Sequence, residues 1–365
     1  MAAIAAALGI ALAVTLLEVT LRITDPIGQN YAAETLQYFT TAIDYDMPPP
    51  VPADLPPAQR RTAIDALRAD PRMDGILFVH KPNLDVSIGS FRLETNALGL
   101  RGRDVASPKP DDVFRVVMLG DSVTFGWGVD AEVTFAHRLE ATWNEGSPAK
   151  RLEVVNTALP KYDSNQEAAM LRQIGLSLEP DLVVLTYVTN DLAEPTRDTI
   201  FQLLTGEHPH PAEQVSIPDD AFSGTAALLA PLLPATSALI NRYTDLAARV
   251  RRTLPEGRDY EPETFASGPR GWARSRTALL DIQEMCRNAG VPFVLFDHTL
   301  PRVTSLQPFC EEHGIAYEPF HLTEDDLAQG ITNSMLDSHC NAAGHDLLLQ
   351  RMRAALERRG LLPAR

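Results

Sequence analysis

The sequence predicts an α/β protein whose main domain has three layers, with helices on both faces of a parallel sheet. Two observations carry that prediction. From Val113 onward, short runs rich in β-branched residues recur: "FRVVML" (Phe114–Leu119), "LEVVNTAL" (Leu152–Leu159), "DLVVLTYV" (Asp181–Val188), "VPFVLFD" (Val291–Asp297) and "IAYEPF" (Ile315–Phe320). Their near-continuous apolarity belongs to strands covered on both faces. Helical patterns alternate with them, which makes βαβ units and a doubly wound domain.

Taken in order, the chain begins with "AAIAAALGIALAVTLL" (Ala2–Leu17), which carries no charge, and the apolar pattern continues past Glu18. A membrane helix needs about 20 residues, so residues 1–25 are expected to form a transmembrane or signal-anchor helix. A cleavable signal peptide and a buried helix are the rivals, but no basic segment precedes the run and no small-x-small site follows it. Arg22, the basic side chain nearest the segment, by itself favours a cytoplasmic C-terminal side. Residues 26–75 read as a juxtamembrane and proline-rich linker, because six of the ten residues from Pro48 to Pro57 are prolines and favour extended chain. Residues 76–110 alternate β-prone runs with Gly and Asn turns and read as a small β appendage.

The main domain is expected over 111–365. Its helices are "FAHRLEATW" after Thr134, "NQEAAMLRQIGLSLE", "RSRTALLDIQEMCRNAG" ended by Gly290, and a last one over Ala342–Arg359 capped by Asn341. Residues 195–270 break the rhythm with "HPHP" and with Pro231 and Pro234, and read as an insertion over the sheet edge. The formal net charge of −16 argues against nucleic acid and anionic headgroups as main partners. Cys286, Cys310 and Cys340 lack metal-ligand spacing and cannot all pair, which leaves one bridge open; no His pair suggests a zinc helix.

In an open parallel sheet, ligands bind beyond the carboxyl ends of the strands. Ser122 stands after the first strand, Lys161 after the second, Asn190 after the third and His298 after the fourth, while "LDSHCNAAGH" (Leu336–His345) adds Asp337 and His339 before the last helix. A serine hydroxyl becomes a nucleophile when an imidazole takes its proton and an acid fixes that imidazole's tautomer. Ser122, His339 and Asp337 supply those types. An oxyanion needs preorganised donors; the Ser122 N–H, an N–H of the second-strand loop and the Asn190 amide are candidates. The bland readings are a turn serine, a helix-capping histidine, a surface aspartate and an Asx-turn asparagine. His298 either lines the pocket and binds substrate or is structural. Asp121 reads as a loop residue bonded to nearby backbone, Cys340 as a packed residue and His345 as a helix-face residue.

With these motifs the chain resembles the SGNH hydrolase superfamily, the GDSL esterases and lipases. "GDSVTFGWGV" (Gly120–Val129) is similar to the family's first block, "VVNTALPKYDSNQE" (Val154–Glu167) to the second, "TND" (Thr189–Asp191) to the third and "DSHCNAAGH" (Asp337–His345) to the last. The N-terminal helix, the proline spacer and "TNALGLRG" (Thr95–Gly102) resemble membrane-anchored bacterial members. The absence of a Gly-x-Ser-x-Gly elbow argues against the α/β-hydrolase fold. The resemblance implies a flavodoxin-like α/β/α domain outside the cytoplasm, periplasmic or extracellular. It implies Ser122, Asp337 and His339 as catalytic residues, an oxyanion hole of Ser122, Lys161 and Asn190, and neither metal nor organic cofactor.

Three positions depart from the family pattern. Lys161 stands where a glycine is usual, so a residue with a Cβ must hold the required backbone angle; Val188 replaces a second glycine; and Asp337 precedes His339 by two residues rather than three. The activity implied is ester hydrolysis through an acyl-serine, on a small molecule, a lipid or an acylated glycan. Two alternatives stay open: an O-acyltransferase using the same machinery on a glycan, and a non-catalytic binding or assembly protein with Lys161 obstructing the hole.

Overall fold

A computed structural model of the chain describes residues 9, 12–21, 25, 28, 30–146, 148–192, 201, 204–205, 268–300, 302–334 and 337–363. The chain divides into two units: Met1–Thr35 with Pro209–Arg258 and Thr332–Ser338, and Leu36–His208 with Asp259–Ile331 and His339–Arg365. In the first unit residues 12–21 are helical. The Asp25 carboxylate there accepts the N–H groups of Gly28 at 3.0 Å and Asn30 at 2.9 Å. Among the described residues no helix is long and apolar enough to cross a membrane. The expected anchor over 1–25 lies in large part outside the described residues, and the insertion expected over 195–270 almost wholly so.

In chain order the elements that frame the site are α1 (Tyr31–Thr41), β1 (Ile43–Tyr45), α2 (Pro57–Arg68), β2 (Phe78–His80), β3 (Asp85–Ile88), β4 (Phe91–Glu94), β5 (Val113–Gly120), α3 (Ser122–Phe125), α4 (Phe135–Asn144), β6 (Arg151–Asn156), α5 (Ser164–Gln173), β7 (Leu182–Tyr187), α6 (Gly268–Ala289), β8 (Phe293–Asp297), α7 (Leu306–His313), β9 (Ala316–Pro319), α8 (Glu324–Leu327) and α9 (Ala342–Arg358). Residues 26–75, which read as linker, thus carry α1, β1 and α2. Of these, α2 begins on Pro57, the last proline of the run, where a missing N–H costs nothing.

The five long-range strands form one parallel sheet in the order β6-β5-β7-β8-β9. Numbered along the domain this is 2-1-3-4-5, the flavodoxin-like order, and its topological switch point lies between β5 and β7. Alternation along each strand splits the side chains between the faces. Val116, Met118, Leu182, Val184, Val294 and Phe296 pack with Phe135, Leu139 and Trp143 of α4 and Leu348 and Met352 of α9. The alternate residues Val117, Leu119, Val183 and Leu185, also buried, turn to the opposite face, where α5 packs on α6. Three layers follow directly from strands with no polar face. Polar side chains are buried in the sheet as well, Thr186, Asp297 and Glu318 among them; Arg115, fully buried in β5, donates from Nε to Glu153 at 2.5 Å, the residue beside it on β6. All three cysteines are buried free thiols, so the bridge left open by the sequence is not formed.

Before the sheet, β1 pairs with β2 and β3 with β4, both antiparallel. His80 ties these pairs to the next segment. The Gly99 carbonyl at 3.1 Å can only accept, so Nδ1 carries the proton and Nε2 accepts from the Tyr38 hydroxyl at 2.7 Å. His345 on α9 plays a matching part, its Nδ1 accepting the N–H of Phe135 at the start of α4. Burial pushes both imidazoles down to a pKa of about 3.

Each histidine therefore stays neutral in the folded chain while its unfolded form takes a proton below about pH 6.5. Stability is complete above that pH and falls as pH drops toward 3, by about 1.4 kcal/mol per pH unit per histidine. Urea unfolding of His345→Gln between pH 6 and 4 is expected to show a slope shallower than wild type by that amount.

Candidate active site

The site is assembled at the switch point, where β5 and β7 end side by side. β5 runs to Gly120, and the chain turns at once into the four-residue helix α3. Asp121 caps that helix, its Oδ1 accepting the N–H of Val123 at 2.9 Å. The helix stops because Gly126 takes a left-handed conformation, with φ of 84°. A Cβ at that position would lie 2.3 Å from the Thr134 side chain, so the turn behind the serine requires glycine on two counts.

Ser122 and His339 meet directly: Nε2 of His339 lies 2.7 Å from Oγ of Ser122. His339 is delivered by the segment just ahead of α9, where Asn341 accepts the N–H groups of Ala343 and Gly344. Gly344 is needed for the approach, since a Cβ there would meet the Ile331 carbonyl at 2.5 Å and Cys340 at 2.8 Å. Cys340 is the packed residue expected from the sequence, and the Trp127 ring lies 6.2 Å from the His339 ring, centroid to centroid.

Asn190 enters from the turn after β7 and donates from Nδ2 to Asp121 Oδ2 at 2.8 Å, while its Oδ1 is buried without a hydrogen-bond partner. Asp121 Oδ2 also lies 3.1 Å from Ser122 Oγ. Asp121 therefore does more than bond nearby backbone: it joins the serine loop to the asparagine loop across the switch point. The Gly-Asp-Ser sequence contained that residue, but no spacing rule revealed a partner 69 positions away.

Asp191, not singled out in the sequence, fixes the asparagine loop from below. Its carboxylate accepts the N–H of Val188 at 2.8 Å and the hydroxyl of Ser164 at 2.7 Å, and Ser164 continues through Ser275 to the Tyr187 hydroxyl. Burial holds the Asp191 carboxyl far above the usual range, and the neighbouring Glu167, buried with both oxygens unpartnered, is raised for the same reason.

Lys161 answers the question set by its place in the second block. Leu159 to Tyr162 form a turn in which the Tyr162 N–H bonds to the Leu159 carbonyl at 3.1 Å and Lys161 has φ of +75°. With Pro160 preceding it, this is a type II turn, whose third residue is ordinarily glycine or asparagine. Lysine holds the glycine's backbone angle at a cost of about 1–2 kcal/mol. His298 follows β8, its Nδ1 donating to the Phe320 carbonyl at 2.9 Å, and burial lowers its pKa, leaving Nε2 as an acceptor. Asp337 belongs to the other unit, where its carboxylate accepts from Asn333 Nδ2 at 3.1 Å and its N–H bonds to Ser334 Oγ at 3.0 Å. Among the described residues no group of three or more His, Cys, Asp or Glu side chains is placed to hold a metal ion.

Residues 118–347 match the GDSL-like lipase/acylhydrolase family. No curated protein matches the chain. Solved structures similar to it include the psychrotrophic esterase EstA from Pseudoalteromonas sp., 12% identical with a TM-score of 0.38 over 67% of this chain and 97% of that one. A GDSL-like lipase from Bacteroides thetaiotaomicron is 13% identical, with a TM-score of 0.37 over 70% and 93%. A lipase/acylhydrolase from Enterococcus faecalis is 13% identical, with a TM-score of 0.36 over 67% and 96%.

Replacing Lys161 by glycine removes the left-handed strain and returns part of it as unfolded-state entropy. Lys161→Gly is expected to raise unfolding stability by about 0.5–1 kcal/mol, read from urea denaturation; a loss of stability would show that the lysine side chain holds the turn.

Proposed function

From the premise that this chain belongs to the GDSL-like lipase/acylhydrolase family and is an ester-hydrolysing enzyme, we propose that it works through an acyl-Ser122 intermediate. The observation that carries the reading is the 2.7 Å approach of His339 Nε2 to Ser122 Oγ. At that distance the imidazole takes the hydroxyl proton as Oγ attacks the ester carbonyl, and returns it to the departing alcohol. Water, deprotonated by the same nitrogen, then attacks the acyl-serine and releases the acid. Asp337, two residues before the histidine, is assigned to hold the Nδ1–H tautomer and offset the imidazolium charge.

The carbonyl oxygen gains negative charge in each tetrahedral intermediate. Its proposed donors are the N–H of Ser122, which as the first residue of α3 has no intrahelical acceptor, the N–H of Lys161, and the remaining Nδ2 proton of Asn190. The left-handed conformation of Lys161 supports a glycine-like backbone role for it. His298, with Nε2 as an acceptor, is assigned to recognise a hydroxyl or N–H donor on the substrate. The uncharged run Ala2–Leu17 supports attachment to a membrane; placement of the enzyme outside the cytoplasm is assigned from the resemblance to membrane-anchored bacterial members and runs against the charge of Arg22.

Labelling with an organophosphonate probe and hydrolysis of a short acyl ester test the reading. Ser122→Ala is expected to abolish labelling and to lower kcat by at least about 10³-fold. Asn190→Ala is expected to lower kcat by about 10²–10³-fold. Equal hydrolysis by wild type and Ser122→Ala would remove Ser122 as nucleophile.

A further inference from the structure

The turn behind Ser122 is gripped by a side chain from a segment well before the catalytic domain. Arg101 is 6% exposed; its two Nη groups donate to backbone carbonyls, while Nε is buried without a hydrogen-bond partner. Nη1 donates to Phe125 at 2.6 Å and Gly126 at 2.8 Å, and Nη2 donates to Val129 at 2.6 Å. The group lies over the Phe125 ring at 4.3 Å and the Phe91 ring at 5.4 Å. Arg101 also pairs through its backbone with Asn156, whose Nδ2 donates to the Thr124 carbonyl at 2.7 Å. Between them the two side chains occupy the carbonyls of Thr124, Phe125, Gly126 and Val129, the end of α3 and the turn beyond it.

Those carbonyls belong to the residues that hold Ser122. The Ser122 carbonyl accepts the N–H groups of Gly126 and Trp127, both at 3.0 Å. A shift of the turn therefore moves the serine backbone. Burying a guanidinium carries a desolvation cost, and Gly126 already ends the helix without help. A planar fork fixes three carbonyls in one geometry, which an ammonium on a flexible stem cannot do. The fork is itself held: Asn96 accepts the N–H groups of Leu98 and Leu100 and donates to the Arg103 carbonyl, closing the turn that leads into Arg101.

Resting on the serine-nucleophile reading, we propose that Arg101 is a positioning residue for Ser122, setting where Oγ stands relative to His339 Nε2. Asn156 assists it, and the segment around residues 95–102 is thereby part of the catalytic apparatus.

The test measures the second-order rate of organophosphonate labelling of Ser122, with kcat and KM on a short acyl ester, in full-length chain. Arg101→Lys, folded by circular dichroism, is expected to slow labelling and kcat by about 10²-fold, with KM within about twofold. In Arg101→Ala, millimolar guanidinium is expected to restore part of the lost rate, which a purely structural role would not give. Wild-type labelling rate in folded Arg101→Lys overturns the proposal. Should that variant not fold, Asn156→Asp keeps the acceptor for Ala158 and loses the donor to Thr124; it is expected to slow labelling about 10-fold, and a wild-type rate there overturns the proposal equally. Wild-type protein that takes no label removes the serine reading itself, a different failure from label uptake unaffected by Arg101.

Discussion

The Asp121 carboxylate is the contact on which the site's geometry rests. One oxygen holds the first turn of the serine helix through Val123, and the other receives the Asn190 amide beside the Ser122 hydroxyl. This works because the sheet order puts β5 beside β7, so two loops 69 residues apart in sequence leave adjacent strands. The parallel sheet supplies the coarse alignment, and a single buried carboxylate supplies the fine one. Buried hydrogen bonds of this kind fix geometry more than they add net stability, because leaving either partner unpaired is the larger energy.

Around that contact the protein spends polar groups in its interior with a consistent purpose. Arg101 and Asn156 hold the far end of the serine helix, and Asp191 with Ser164, Ser275 and Tyr187 holds the asparagine loop. Both sets surround loops that regular secondary structure could not position, since neither loop has a strand partner. The core beneath is apolar, with Val116, Val184 and Leu185 fully buried, and asks nothing of these networks except a rigid base. Glu167 is the unpaired member of the group. Burial first, and then the nearby Asp191 carboxylate, raise its pKa.

Much of this was legible before the fold. The five apolar runs became the five strands, because strands flanked by helices on both faces are largely apolar, and that pattern is local. Ser122 and His339 were legible as a pair because catalytic chemistry restricts residue type, and both stood at the ends of predicted elements. Linker composition misled over 26–75, since proline density reports extended chain but tolerates a helix that begins on a proline. β1 was invisible: its three residues, "IDY", carry no alternation of their own and are a strand only through pairing with β2.

The sequence by itself determined the layer architecture, the strand-end positions of the candidate nucleophile and base, and the anomaly of a lysine in a glycine's place. These depend on periodicity and residue type, which are properties of short segments. Only the tertiary structure decided that Lys161 holds a left-handed angle, that Asp121 reaches Asn190, and that Arg101 grips the serine turn. Each of those is a hydrogen-bonding or backbone choice made between segments far apart in the chain, where several partners are chemically equivalent until packing brings one of them within 3 Å.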